Sequence, residues 1–266
     1  MTSGDRRDPL DVVLPLGGLL VLYYLVPILA LLVSRPPGAV LARLDDPQVL
    51  AAATNSLLAA SASAAIATAL GLPLAYWLAR TDWRGRNAVT AVVVLPLVLP
   101  PVVSGMVLLS VVGPGALGGL ASQAGIRLTR SLLGAVLAQT FVSSPFVVVT
   151  ARAAFEGVDR RLEAASRSLG TGRWTTVRRV TLPLALPGIL AGVVLAFARS
   201  MGEFGATLML AYYPRTMPIA IWVAFVSKGL SSAFPLAVLL LATSLAAIVV
   251  LSAVGAGPLG VGRARD

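Results

Sequence analysis

The ionisable residues of this chain are few and gathered together. Arg160, Arg161, Arg167, Arg173, Arg178 and Arg179 share one stretch with Glu156, Asp159 and Glu163. A second pair, Arg199 and Glu203, stands inside an apolar run, and the neutral polar residues Gln139, Thr140, Ser143 and Ser144 interrupt another. Such residues can pair charges, donate and accept hydrogen bonds, and recognise an oppositely charged surface. The chain has no cysteine and no histidine. Disulfides, thiolate chemistry, imidazole base catalysis and haem ligation by either residue are therefore excluded within it. No paired catalytic carboxylates and no metal-ligand cluster stand out. A phosphate-binding loop ending in Gly-Lys-Ser or Gly-Lys-Thr is missing, and the nearest glycine-rich stretch, Gly113 to Gly119, has no lysine.

The medium that must position these residues follows from composition. Of 266 residues 57% are apolar and 12% charged, and the mean hydropathy is +0.88. A soluble domain carries about 25% charged residues, so the chain reads as a membrane protein. Its net charge of +10 could suggest nucleic acid. The basic residues cluster between apolar runs, however, with no zinc-finger spacing and no aromatic–basic interleaving. Orientation in a lipid bilayer explains them better, and no nucleic-acid partner is expected.

Six spans are expected. A short polar tail, residues 1–11, precedes span 1 at Val12 to Val33. Its 22 residues cover roughly 33 Å at the helical rise, enough for a hydrocarbon core. Pro27 is a candidate bend, and the Arg-Pro-Pro-Gly stretch Arg35 to Gly38 stops it. Leu44 to Gln48 is a polar turn. Span 2 lies within Val49 to Ala79, with small residues from Ala59 to Ala65 for close helix packing and Pro73 as a candidate bend. Span 3 runs from Ala88 to Val112 and should be kinked at Pro96 and Pro100–Pro101. A loop over Gly113 to Gly119 and a surface segment, Ala121 to Arg130, follow. Span 4 is Leu132 to Ala153, and a charged insert covers residues 154–183. Span 5 is Leu184 to Leu210. Ile219 to Val226 is too short to cross and reads as interfacial or re-entrant. Span 6 is Phe234 to Val254, so the membrane region covers 12–254, and a glycine-rich tail, 255–266, ends the chain. These runs lack the period of two that a β-barrel requires. The fold class is an all-α polytopic membrane protein.

Six spans put both termini on one side. With that side inside, fourteen of the 21 Lys and Arg residues are cytoplasmic, six lie in outer loops and Arg199 lies in a span. The excess predicts cytoplasmic termini and a cytoplasmic insert in the cell membrane. Within the insert, Val158, Leu162, Ala165 and Leu169 form an apolar stripe at helical spacing, and Gly170 is a C-terminal stop. Arg173 to Val180 reads as a second short helix, and Pro183 and Pro187 turn the chain toward the bilayer.

The residues Glu163, Ala164, Ala165, Ser166, Gly170, Leu182 and Pro183 resemble the coupling motif of permease subunits of ATP-binding-cassette (ABC) importers. In that family the acid stands six residues before the glycine. Here Ala164 holds that place and Glu163 comes one residue earlier. Ala198 to Thr207, Ala211 to Pro214, Leu95 to Pro101 and Val142 to Pro145 are similar to the molybdate, tungstate and sulfate branch, closest to molybdate and tungstate. The resemblance covers roughly Asn55 to Val254.

The resemblance implies the type I importer permease fold, with six transmembrane helices and a cytoplasmic coupling helix. It implies a second copy of this subunit, two cytosolic ABC ATPase subunits and an extracytoplasmic oxyanion-binding protein. This chain would bind no cofactor, with ATP and Mg held by the partner ATPase, and would be a transport subunit rather than an enzyme. A sulfate or thiosulfate permease is the alternative, and an ion-coupled carrier a more distant one. Gln139, Thr140, Ser143 and Ser144 are candidates for the anion's path, against a plain role in helix–helix hydrogen bonding. Arg199 and Glu203, four residues apart on span 5, are candidates for a gate, against a structural ion pair in the bundle.

Overall fold

The computed structural model describes residues 10–33, 36–115 and 117–255. The two terminal tails fall largely outside these residues, as does Arg35 in the expected stop after span 1. Every regular element among the described residues is helical. Among the described residues five helices are long and apolar enough to cross a membrane, or six spans when one bent pair is counted as one.

The first helix, α1 (Leu10–Val33), lies at the edge of the bundle with its described side chains largely exposed. The short α2 (Pro37–Leu41) leads to α3 (Pro47–Arg80), which starts within the expected polar turn. Asp46 caps it by accepting from the Gln48 N–H at 2.9 Å, and Pro47 occupies the first position, where a missing N–H costs nothing. Pro73 lies inside α3 without ending it.

Span 3 is broken rather than kinked. α4 (Arg86–Val98) and α5 (Pro101–Val112) meet at an angle of 116° across Leu99 and Pro100. Consecutive prolines at 100 and 101 remove two adjacent donors, more than a continuous helix tolerates. α6 (Leu117–Gln123) then occupies part of the expected loop, and α7 (Leu132–Glu156) is span 4, three residues longer than expected at its end.

The insert proper begins at Gly157. α8 (Arg160–Ser168) is its first helix, and α9 (Arg173–Thr176) its second. From Arg173 the chain does not turn at Pro183 or Pro187. α9, a π-helical turn over Val177–Thr181 and α10 (Leu182–Met201) run as one 29-residue helix, Arg173–Met201. The reason is local. The ring of Pro183 would meet the carbonyl of Arg179 in a regular α-helix. The wider π turn contains Arg179, and the Leu182 N–H bonds back to the Val177 carbonyl.

Span 5 ends early, at Met201. Gly202 to Phe204 break the helix, and α11 (Gly205–Leu210) resumes it. α12 (Met217–Lys228) includes the expected half-length segment and buries Met217 and Ile219. α13 (Leu230–Gly255) is span 6.

α3, α7 and α10 form the centre, each packed on the other two. Alanines 52, 59, 60, 64, 67 and 75 of α3 are buried, so that methyl groups separate the helices. The two broken spans pack on each other: a Cβ on Gly205 would lie 2.8 Å from the Pro101 Cβ and 2.9 Å from the Val102 nitrogen. A Cβ on Gly105 would lie 2.9 Å from the Ala206 Cα. Gly205→Ala should therefore destabilise the bundle by about 1–3 kcal/mol through overpacking. The check is the thermal midpoint of the detergent-solubilised protein, which should fall, whereas Gly115→Ala, with nothing within 4 Å, should leave it unchanged.

Candidate functional site

The polar ends of the bundle differ. At one end lie the C-terminal ends of α3 and α7, the start of α4 and the insert. Arg80 pairs with Glu163, Arg86 with Glu156, and Arg152 with both Glu156 and the Thr90 hydroxyl. At the other end Asn55 Nδ2 donates to the Arg215 carbonyl, the Met217 N–H to Ser56 Oγ, and the Arg130 N–H to the Leu210 carbonyl.

At the insert end, Asp159 starts α8 by accepting from the Arg161 N–H at 2.8 Å. Gly170 ends it with φ +85°, a left-handed conformation that favours glycine. Between them the helix turns its one carboxylate inward and leaves its arginines and part of its apolar surface outward. Glu163 is buried, and its Oε1 accepts from Arg80 Nη2 at 2.7 Å, Arg80 Nε at 3.0 Å and Thr181 Oγ1 at 2.8 Å. Of the expected apolar stripe only Val158, ahead of the helix, enters the core, packing with Leu78, Phe155 and Ile189. Leu162 and Ala165 are exposed, and Leu169 is 85% exposed. Ala164 is exposed as well, and Trp174 on α9 is 76% exposed.

The other motif residues divide between holding and presenting. Ser166 is half-buried. Its Oγ lies 2.7 Å from Thr171 Oγ1, which donates to the Ser166 carbonyl and so closes the loop around Gly170. Leu182 packs against the core cluster at this end, and Pro183 is exposed on the continuous helix. A cavity of about 600 Å³ opens between α3, α8 and α9, with Arg80, Arg160, Arg167 and Arg173 in its lining. Sequence reading missed Arg80 as a partner of the motif and did not single out Thr181. They are 83 and 18 residues from Glu163, and no local spacing connects them.

Of the four polar residues on α7, Gln139 and Ser143 are buried in the bundle. Ser63 Oγ donates to the Val136 carbonyl at 3.0 Å and lies 3.5 Å from Gln139 Oε1, which places Gln139 in the α3–α7 contact. Thr140 and Ser144 are half-buried, one helical turn apart on one side of α7.

Arg199 and Glu203 do meet, with Arg199 Nη1 2.5 Å from Glu203 Oε2. They do not share a continuous helix, because Glu203 lies in the break after Met201. Its other oxygen accepts from the Ala206 N–H at 2.8 Å and so caps α11. Glu203 is 1% exposed, Arg199 28%. Removing the arginine strands a buried charge, whereas Glu203→Gln keeps an acceptor for Ala206. Arg199→Ala should therefore cost about 3–5 kcal/mol, and Glu203→Gln distinctly less. The yield of folded protein after mild detergent challenge measures the order, and equal losses would contradict it.

A family model described as the inner membrane component of binding-protein-dependent transport systems matches residues 71–257. A probable molybdenum ABC transporter permease protein of Haloferax volcanii is 59% identical over 243 residues, covering 91% of this chain and 89% of that protein. The molybdate/tungstate transport system permease protein WtpB of Thermococcus kodakarensis is 39% identical, covering 92% and 96%. In a crystal structure of a bacterial alginate ABC transporter with its periplasmic protein, one chain superposes with a TM-score of 0.74 at 16% identity, over 94% of each chain. That likeness shows the fold alone.

Proposed function

The chain belongs to the family of inner membrane components of binding-protein-dependent transport systems, and we propose that it is the permease of an ABC importer that brings molybdate or tungstate into the cell. The substrate class is drawn from the relatives of Haloferax volcanii and Thermococcus kodakarensis, which are named for molybdenum and for molybdate/tungstate.

One observation within the chain carries the transport reading: α8 shows Leu162, Ala164, Ala165 and Leu169 to the outside while its carboxylate is turned inward. Outside the bilayer such a face calls for a protein partner. In this reading the partner is a cytosolic ATPase, present in two copies, which holds the ATP and Mg. The excess of Lys and Arg at the insert end supports cytoplasmic termini and a cytoplasmic insert. A second copy of the chain completes the passage, and an external oxyanion-binding protein delivers the cargo. Thr140 and Ser144 border that passage. Gln139 belongs to the α3–α7 contact, and Ser143 is buried in the bundle. Neutral hydroxyls suit a dianion that must leave again, because a strongly positive site would retain it.

Substitution on the exposed face tests docking. Ala165→Glu should leave membrane insertion intact and abolish co-purification with the ATPase. Normal yield of the complex with normal transport would refute the assignment. For the cargo, the transporter is reconstituted in vesicles with its ATPase and binding protein, and the binding protein is titrated calorimetrically with molybdate, tungstate and sulfate. Tight binding of molybdate or tungstate, with import at concentrations far below those needed for sulfate, is the expected result. Tight sulfate binding with neither of the others would reverse it.

A further inference from the structure

We propose that Glu163 is a positioning residue of the coupling step. In this assignment it does not contact the ATPase but welds α8 to the ends of both α3 and α10. The assignment rests on the reading of α8 as the docking helix.

The geometry is specific. One carboxylate oxygen, Glu163 Oε1, accepts three hydrogen bonds: two from Arg80 at the last position of α3, and one from Thr181 in the π turn that opens into α10. Arg80 Nη2 also donates to the Val158 carbonyl at 3.2 Å, just ahead of α8. Arg160 Nη2 returns the contact, donating to the Ala79 carbonyl at 3.2 Å. Arg80 and Glu163 side chains are each 10% exposed, and Thr181 is fully buried. Oε1 is thus fully committed within the chain, and the side chain as a whole is turned away from the outer face of α8.

Thr181 shows that the arrangement is selective. Helical threonines can donate to the carbonyl four residues back. Thr54, Thr68, Thr90 and Thr150 do so in this chain. Thr181 donates across to Glu163 instead. The π turn around it, Val177–Thr181, is of a kind that occurs as single turns inside α-helices, frequently at functional sites.

The mechanical consequence follows from connectivity. α8 is attached covalently only through short non-helical segments on each side, around Gly157–Asp159 and Leu169–Gly172. Without the joint, a push on its outer face would be taken up by these segments. With it, the push reaches α3 and α10 together. α10 ends at Met201, two residues before Glu203, so displacement at the insert arrives at the break in span 5.

The test uses the whole transporter, reconstituted in vesicles with its ATPase and binding protein and assayed with molybdate. Variants are Thr181→Val, Glu163→Gln, Arg80→Gln and the double Arg80→Gln/Glu163→Gln. Two quantities are read: the ATPase that co-purifies, and the ATP hydrolysed per anion imported. The joint predicts that co-purification persists while the ATP-to-anion ratio rises. For Glu163→Gln or Arg80→Gln the rise should be on the order of tenfold, the equilibrium equivalent of one charge-assisted hydrogen bond. The double variant should be no worse than the worse single, as expected of one interacting unit. Thr181→Val keeps the ion pair and the side-chain shape, and should raise the ratio even if the charge variants fail to accumulate. Wild-type coupling ratios in Thr181→Val and in any accumulating charge variant would overturn the joint and leave docking standing. Loss of the ATPase from Glu163→Gln alone would assign Glu163 to the partner contact and overturn it too. A wild-type chain that binds no ATPase would bring down the docking assignment and the joint with it.

Discussion

Hydrocarbon offers no hydrogen bonds, so a backbone N–H or C=O released from a helix inside the bilayer must find its partner in the protein. This constraint decides where the chain can break. The break at Leu99 and Pro100 is closed by the Leu99 N–H on the Leu95 carbonyl and the Ser104 N–H on the Pro100 carbonyl. The break at Gly202 to Phe204 is closed by the Glu203 N–H on the Ser200 carbonyl, the Leu208 N–H on the Phe204 carbonyl and the Glu203 carboxylate on the Ala206 N–H. The helices that restart there, α5 and α11, lie on each other at a spacing that Gly105 and Gly205 permit. Irregular backbone in this chain is thus covered by irregular backbone.

Burial inside the protein imposes the same demand on two carboxylates, one in the insert and one in the bundle. Glu163 and Glu203 each face an arginine and each sit at the beginning of a short helix, where a negative charge is favoured. They also bracket one element. Glu163 holds Thr181 just before α10, and Glu203 holds Arg199 in its last turn. A helix fixed by polar contacts at both ends and by small-residue packing between them moves as a unit. Surface ion pairs could not do this, because solvent screens them to little net effect. Burial makes these pairs stiff, and it also makes breaking either one costly.

How much of this was legible in the sequence depends on the range of the interaction. Long apolar runs have one physical solution in a bilayer, so α1, α3, α7 and α13 fall where hydropathy puts them. Gly170 marked the end of α8 because a left-handed residue favours glycine. The errors lie where two local signals competed. Pro100 and Pro101 signalled distortion but not its size. Pro183 signalled a stop, and a π turn absorbed it. At Gly202 to Phe204 hydropathy continued while the helix did not, because apolarity reports burial and not backbone path. The motif residues were visible as a cluster, but the orientation of α8 was not. Helical periodicity marks which residues share a face, and says nothing of whether that face meets its own bundle or a partner.

That orientation separates α8 from the rest of the exposed apolar surface. Leu19, Leu70 and Val249 are as open as Leu162, but they lie on helices long and apolar enough to cross a membrane, where lipid covers them. α8 has only nine residues, with arginines at 160, 161 and 167, and cannot be a span. Its open Leu162 and Leu169, with Trp174 beside them on α9, have no lipid core to enter. A short polar helix folding alone would turn its leucines in and its glutamate out. Here Arg80 and Thr181 fix the glutamate inside and so keep the leucines outside. The buried carboxylate and the exposed apolar face are therefore two aspects of one arrangement, in which the cost of burying charge is met within the chain and the gain from covering the leucines is left to a partner.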